Sequence, residues 1–358
     1  MNLLGYVKTN QCSFKEMDIN DVDILVFSWL SYIDFLPIKK CFPIKLEDLK
    51  GFKYFQLDRT YEAAFLVKKT KKFMSYIMNS ERFKNIEIID FISVLDRSID
   101  TQYASLCLKV EGKLIITFRG TDPKFLGWKE DFYLCFKNTI FSYDLAKEFV
   151  LKIIEEHEEP IILAGHSKGG NIANYLLATL EDDNRIERVY SFDGPGFKEA
   201  NVFKNNVARI SKFKKIIPQS SLVGVLLTNE TDVQIIKSKN IIVFQHNPYE
   251  WVIKNNNFIY LNKRTISSRY LDKCINGWIE SLNEQEKERF TKILFDALDS
   301  FEIQDFSIFF KKIFKQIRPT IKAYKSLSKE DKKFFWYVIR RLAKHLAMPN
   351  HNIKSKLK

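Results

Sequence analysis

The hexapeptide Gly165-His166-Ser167-Lys168-Gly169-Gly170 sets a serine among glycines. It follows the short apolar run Ile161–Ala164 and precedes a segment of helical spacing, Asn171–Leu180. A G-x-S-x-G nucleophile needs this strand–turn–helix setting. The glycines permit a tight, strained turn that lifts the hydroxyl above a sheet edge. The same turn aims the Lys168 N–H at the place where an oxyanion would form, helped by the positive end of the helix. The competing reading is a Gly-rich turn that only caps a helix, but the chain holds just 12 glycines, so a chance match is uncommon.

A serine hydroxyl is a weak nucleophile without a base. Five histidines allow elimination. His166 sits beside the serine and points into the fold. His157 precedes the nucleophile strand, at the wrong edge of a sheet, and His345 and His351 lie in a basic tail. His246 remains, after the serine in sequence and at the end of a predicted strand, Ile241–Gln245; otherwise it is a loop histidine near Trp251. The acid is expected at Asp193, in the turn Phe192-Asp193-Gly194-Pro195-Gly196 that closes the strand Arg188–Phe192. A carboxylate there can orient the imidazole, or it can merely close the turn. Asp232 is the alternative acid.

A second oxyanion donor is expected from the loop after an earlier strand. In Phe118-Arg119-Gly120-Thr121-Asp122, Gly120 lets the backbone come close, and Thr121 offers its N–H and hydroxyl. Trp128 is read as core. The Lys168 side chain is read as pointing to solvent.

These residues need a scaffold. Strands are predicted at Ile86–Leu95, Gln102–Val110, Lys113–Phe118, Ile161–Ala164, Arg188–Phe192 and Phe213–Ile217. Helical segments are predicted at Ser142–Glu156 and Lys198–Ser211. Strands and helices alternating at these lengths imply an α/β fold, a mostly parallel sheet covered by helices on both faces. Residues 1 to about 85 read as helical: a buried helix through Leu25, Trp29, Tyr32, Ile33 and Leu36 that Pro37 ends, and another at Thr60–Asn79. Residues 1–263 form the main domain. Residues 264–358 form a helical, basic region, with a helix Phe306–Arg318 stopped by Pro319 and a last helix capped by Ser328 and Asp331.

Composition narrows the class. The five cysteines show no metal-site spacing or disulfide framework, so no metal and no cofactor is expected. Residues Met1–Lys15 lack the apolar core of a signal peptide, and no apolar segment is long enough to span a bilayer. The expected place is the cytoplasm, with peripheral contact at the inner face of the membrane. Residues 306–358 carry 15 Lys/Arg against 2 Asp/Glu, while the rest of the chain holds 42 of each. Cationic, aromatic-rich helices suit an anionic membrane; a helical cap with solvated lysines is the plainer alternative. Nucleic acid is not an expected partner, because no reader motif accompanies the charge.

With these segments in hand, the chain resembles the class 3 lipases, a branch of the α/β-hydrolases. Thr117-Phe118-Arg119-Gly120-Thr121-Asp122, Trp128, Asp131 and the Gly165–Gly170 elbow stand in that family's order and spacing, across about residues 100–250. Most of the chain also resembles a lipase-like family of low-GC Gram-positive bacteria, through the Gly165–Gly170 elbow, the Phe192–Gly196 turn, and Gln245-His246 with Trp251. The resemblance implies a serine hydrolase acting on carboxylic esters or lipids through an acyl-enzyme. The alternative is a non-catalytic relative acting as a membrane-associated or partner-binding module. Two departures from the class 3 pattern stand out. That family's acid usually follows the next strand, yet no Asp or Glu occurs between Glu199 and Glu230. Lys168 also stands where lipases commonly carry an apolar residue.

Overall fold

The computed structural model describes residues 1–52, 67–181, 184–199, 207–228, 232–240, 242–299 and 313–347. Its strands are β1 (Ile44–Lys45), β2 (Glu87–Asp96), β3 (Thr101–Val110), β4 (Lys113–Phe118), β5 (Ile161–His166), β6 (Ile186–Phe192), β7 (Phe213–Pro218) and β8 (Val233–Ile236). A hairpin of β9 (Ile253–Lys254) and β10 (Asn257–Phe258) precedes β11 (Tyr260–Leu261). A nine-stranded sheet takes the order β1-β2-β3-β4-β5-β6-β7-β8-β11. Strands β4 to β8 run parallel. β1 to β4 pair antiparallel at one edge, as does β11 at the other.

The helices are α1 (Leu3–Thr9), α2 (Asp21–Leu30), α3 (Val67–Asn79), α4 (Phe125–Tyr133), α5 (Phe141–Glu156), α6 (Lys168–Thr179), α7 (Val207–Lys212), α8 (Ile266–Glu280), α9 (Glu284–Asp299), α10 (Ile313–Ser326) and α11 (Lys329–Ala347). They cover both faces. Every residue of β5 is buried, as a central parallel strand requires. Ile162 and Ala164 join the core under α1, α2 and α3, whereas Ile161 and Leu163 join the core under α5 and α6. The alternation follows from the two-residue side-chain period of a strand. The fold is that of an α/β-hydrolase, with the elbow at the C-terminal end of β5.

Three local expectations need correction. The helix expected to run through Leu36 is α2 and ends at Leu30, and Pro37 lies in the first turn of a 3-10 segment, Leu36–Cys41, instead of stopping a helix. The segment read as a strand at Ile241–Gln245 is a 3-10 turn over Ile242–His246. Its apolar run mimics a strand, but tertiary bonds hold it off the sheet. Gln245 Oε1 accepts from Ser220 N–H at 2.7 Å, and Trp251 Nε1 donates to the Gln245 carbonyl at 2.7 Å. Pro319 lies inside α10 rather than at its end. The Ser328 cap is present: Asp331 N–H donates to Ser328 Oγ at 2.9 Å. The first part of the helix expected at Phe306–Arg318, the first part of Thr60–Asn79 and most of Lys198–Ser211 lie outside the described residues.

Candidate active site

Ser167 joins β5 to α6 with φ 58° and ψ −129°. That conformation costs a non-glycine residue about 1–3 kcal/mol and persists only where its surroundings impose it. The imposing contacts are local. Ser167 N–H donates to the Phe192 carbonyl at 2.9 Å, and Gly170 N–H donates to the Ser167 carbonyl at 2.9 Å. Glycine is required across the turn, since a Cβ on Gly165 would fall 2.2 Å from the Gly169 carbonyl carbon. The β4 loop comes equally close, as a Cβ on Gly120 would lie 2.9 Å from Ser167 Cβ. Thr121 is thereby brought beside the elbow.

Asp193 ends β6 and also has a positive φ, 51°. Its carboxylate is fully buried and accepts three hydrogen bonds. Oδ2 takes His246 Nδ1 at 2.7 Å; Oδ1 takes the Ser221 hydroxyl at 2.5 Å and Gly224 N–H at 3.1 Å. Because the carboxylate accepts, His246 carries its proton on Nδ1, and Nε2 is the basic nitrogen. Asp232, the alternative acid, is exposed just ahead of β8. Ser221 lies in the loop after β7, the place where the class 3 acid is lacking, and it turns its hydroxyl onto Asp193. Among the described residues no hydrogen bond joins the Ser167 hydroxyl to His246. Such contacts are often long in ligand-free enzymes and tighten with substrate.

His166, set aside in the elimination above, points inward as expected and meets His246 there. Its Nε2 is 2.8 Å from the His246 carbonyl, and its Nδ1 is 3.1 Å from the Tyr32 hydroxyl. A carbonyl only accepts, so Nε2 carries the proton and Nδ1 accepts from Tyr32. Burial, with His246 alongside, holds this imidazole well below its ordinary pKa. His166 therefore stays neutral and ties the His246 turn to the elbow and to the end of α2.

The Lys168 side chain does not reach solvent. It is buried, and its Nζ donates to the Gln102 carbonyl at 2.6 Å and to Glu130 Oε2 at 2.5 Å. Glu130 also accepts the Ser142 hydroxyl and the Gln102 N–H. One buried ion pair thus fastens α4 to the first residue of α6. The Lys168 N–H, opening α6, precedes the helical ladder. The Thr121 hydroxyl donates to Asp131 Oδ2 at 2.7 Å, so only its N–H is left for an oxyanion. Burial pushes the Asp131 carboxyl up to about 6, against the opposing pull of Lys168 and the Thr121 hydroxyl.

Ser167, His246, Thr121 and Lys168 line one cavity of ≈ 280 Å³. Its other walls are mostly apolar, with Phe132 from α4, Leu226 from the segment after β7, and Trp278 and Phe290 from α8 and α9, while Asp131, Lys287 and Thr291 add polar groups. Trp128, read as core, lines this cavity and is partly exposed. Helices from beyond residue 264 therefore build part of the site. Tyr32, Ser221 and Glu130 were not singled out from sequence; a serine pair, Ser220-Ser221, at a strand end was the only available signal.

An elbow serine at the end of β5 and a carboxylate-backed histidine on a later turn, on a mostly parallel sheet, have the arrangement of an α/β-hydrolase fold. The family model described as Mbeg1-like matches residues 77–296. The chain belongs to that family. Among solved structures it is similar to a mutant of MDLA from Penicillium cyclopium (TM-score 0.40, 11% identity, 68% of this chain and 87% of that one). It is also similar to lipase II from Rhizopus niveus (TM-score 0.38, 12% identity, 62% and 83%). A structure titled as a fungal lipase has a TM-score of 0.45 at 10% identity, covering 69% and 89%. Each likeness is remote. No curated protein matches the chain.

Proposed function

We propose that the protein is a serine hydrolase that cleaves carboxylic esters or lipid-like acyl groups through an acyl-enzyme. The observation that carries this reading is the 2.7 Å bond between His246 Nδ1 and Asp193 Oδ2, with His246 lining the same cavity as the strained Ser167. Ser167 Oγ attacks the ester carbonyl carbon as His246 Nε2 takes its proton. The N–H groups of Thr121 and Lys168 hold the oxyanion. Collapse expels the alcohol, which takes the proton back from His246. Water then repeats the sequence, releasing the acid and restoring Ser167. No cofactor enters these steps. The apolar walls favour an acyl chain over a polar acyl group.

The test is labelling with a fluorophosphonate probe. Wild type is expected to label, and Ser167→Ala is expected not to. A folded wild type that stays unlabelled, with and without anionic vesicles, would overturn the proposal.

A further inference from the structure

Away from the cavity, the outer face of α10 and α11 has a distinct chemistry. α11 turns one side to α8 and α9. There Val338 is fully buried, Trp278 Nε1 donates to the Val338 carbonyl at 3.3 Å, and Arg341 Nε donates to Ser281 Oγ at 3.2 Å. The opposite side carries Lys333, the adjacent pair Trp336 and Tyr337, Arg340 and Lys344, all exposed, with three or four residues from Lys333 to the pair, from the pair to Arg340 and from Arg340 to Lys344. That spacing makes one stripe.

α10 extends the patch. Ile321 is 48% exposed and Trp336 46%. Trp336 Nε1 donates to the exposed Tyr324 hydroxyl at 2.9 Å, so aromatics of the two helices form one surface. Lys332 Nζ lies 5.6 Å from the Tyr324 ring centroid. Residues 313–347 contain 10 Lys/Arg and two acids, Glu330 and Asp331. Asp331 is engaged by Arg289 at 2.8 Å and by the Ser328 cap. No acidic residue follows it in the chain.

We propose that the outer face of α10 and α11 docks the protein on an anionic phospholipid bilayer. Indole and phenol rings settle at headgroup depth, apolar body inward and polar tip in water. The lysines and arginines around them meet the anionic headgroups. A nucleic acid would use the cations but leave Ile321 in water, which favours the bilayer as occupant. No described helix is long and apolar enough to cross a membrane, so this contact lies on the surface. It stands apart from the hydrolase reading.

The test is sedimentation of the full chain with phosphatidylglycerol–phosphatidylcholine vesicles and with phosphatidylcholine vesicles alone. Binding is expected only to the anionic vesicles and should weaken in high salt. Each basic side chain near such a surface is worth roughly fivefold in partitioning, so Lys333→Gln/Arg340→Gln/Lys344→Gln should bind about a hundredfold more weakly. Trp336→Ala/Tyr337→Ala should lose about tenfold through lost apolar burial. Circular dichroism of each variant keeps loss of fold distinct from loss of contact. A wild type that ignores anionic vesicles but binds an oligonucleotide would overturn the proposal, as would a folded triple variant that binds as tightly as wild type.

Discussion

The Ser221 hydroxyl donates to Asp193 Oδ1 at 2.5 Å, across the ends of the neighbouring strands β7 and β6. In the class 3 pattern the β7 side supplies the acid. On the proposed hydrolase reading, the carboxylate of this chain comes from the end of β6, and the loop after β7 supplies a hydroxyl that orients it. The other carboxylate oxygen is left to His246 Nδ1. The gap in acids between Glu199 and Glu230 thus coincides with a different division of labour between two strands.

That division can be measured. Asp193→Asn should slow fluorophosphonate labelling by about 10⁴, the usual cost of losing the imidazole's correct tautomer. Ser221→Ala should slow it about tenfold, because a hydrogen bond to a charged group is worth roughly 1.5–3 kcal/mol. The swap Asp193→Ser/Ser221→Asp should recover part of the loss seen in Asp193→Asn. Equal rates for wild type and Asp193→Asn would remove Asp193 from the mechanism.

The Lys168–Glu130 pair predicts a stability effect. Removing one member leaves a buried charge without its partner, at a cost of about 3–5 kcal/mol. Lys168→Met should therefore lower the unfolding free energy measured by urea titration by that amount. Glu130→Gln should act in the same direction. In the double variant the two losses should fall short of their sum, since each single change already breaks the shared bond. Additive losses would mean that the two side chains do not act as a pair.

The legibility of these features followed their range along the chain. The placement of Ser167 on a strand–helix turn is legible because the constraint is local: glycines must flank a backbone of positive φ, and they are neighbours in sequence. His246 could be singled out because few histidines exist. Its local structure could not, since the run Ile241-Ile242-Val243 has strand propensity and the bonds from Gln245 to Ser220 and Trp251 override it. Lys168 misled for a similar reason. A lysine beside an elbow is read as solvated, and the carboxylate that buries it lies 38 residues away. Pro319 inside α10 shows a helix continuing where the local rule stops one.

His166 holds the turn of His246, the proposed base. Tyr32→Phe removes the donor to Nδ1, and His166→Ala removes the donor to the His246 carbonyl. Each should slow labelling about tenfold. His166→Gln, whose amide can replace that donor, should lose less than His166→Ala. A further sign comes from pH. The folded pKa of His166 is depressed, so below its unfolded value of 6.5 the unfolded chain takes the proton that the folded chain refuses. Its contribution is a loss of stability as pH falls below that value. Subtracting the stability curve of His166→Gln from that of wild type should isolate this loss; a flat difference would contradict it.

Asp131 predicts the opposite slope. Burial raises its carboxyl from 3.8 to about 6, so across that window the folded chain holds a proton that the unfolded chain has released. Stability from this group is present below pH 3.8 and is lost as pH rises to 6. Asp131→Asn keeps an acceptor for the Thr121 hydroxyl but cannot ionise. Relative to this variant, wild type should lose roughly 1–3 kcal/mol between the two pH limits. Chemical denaturation at several pH values measures the difference directly. Two parallel curves would show that the Asp131 carboxyl titrates alike in the folded and unfolded chains. A gain in wild-type stability with rising pH would instead show that Lys168 and the Thr121 hydroxyl outweigh burial at this carboxyl.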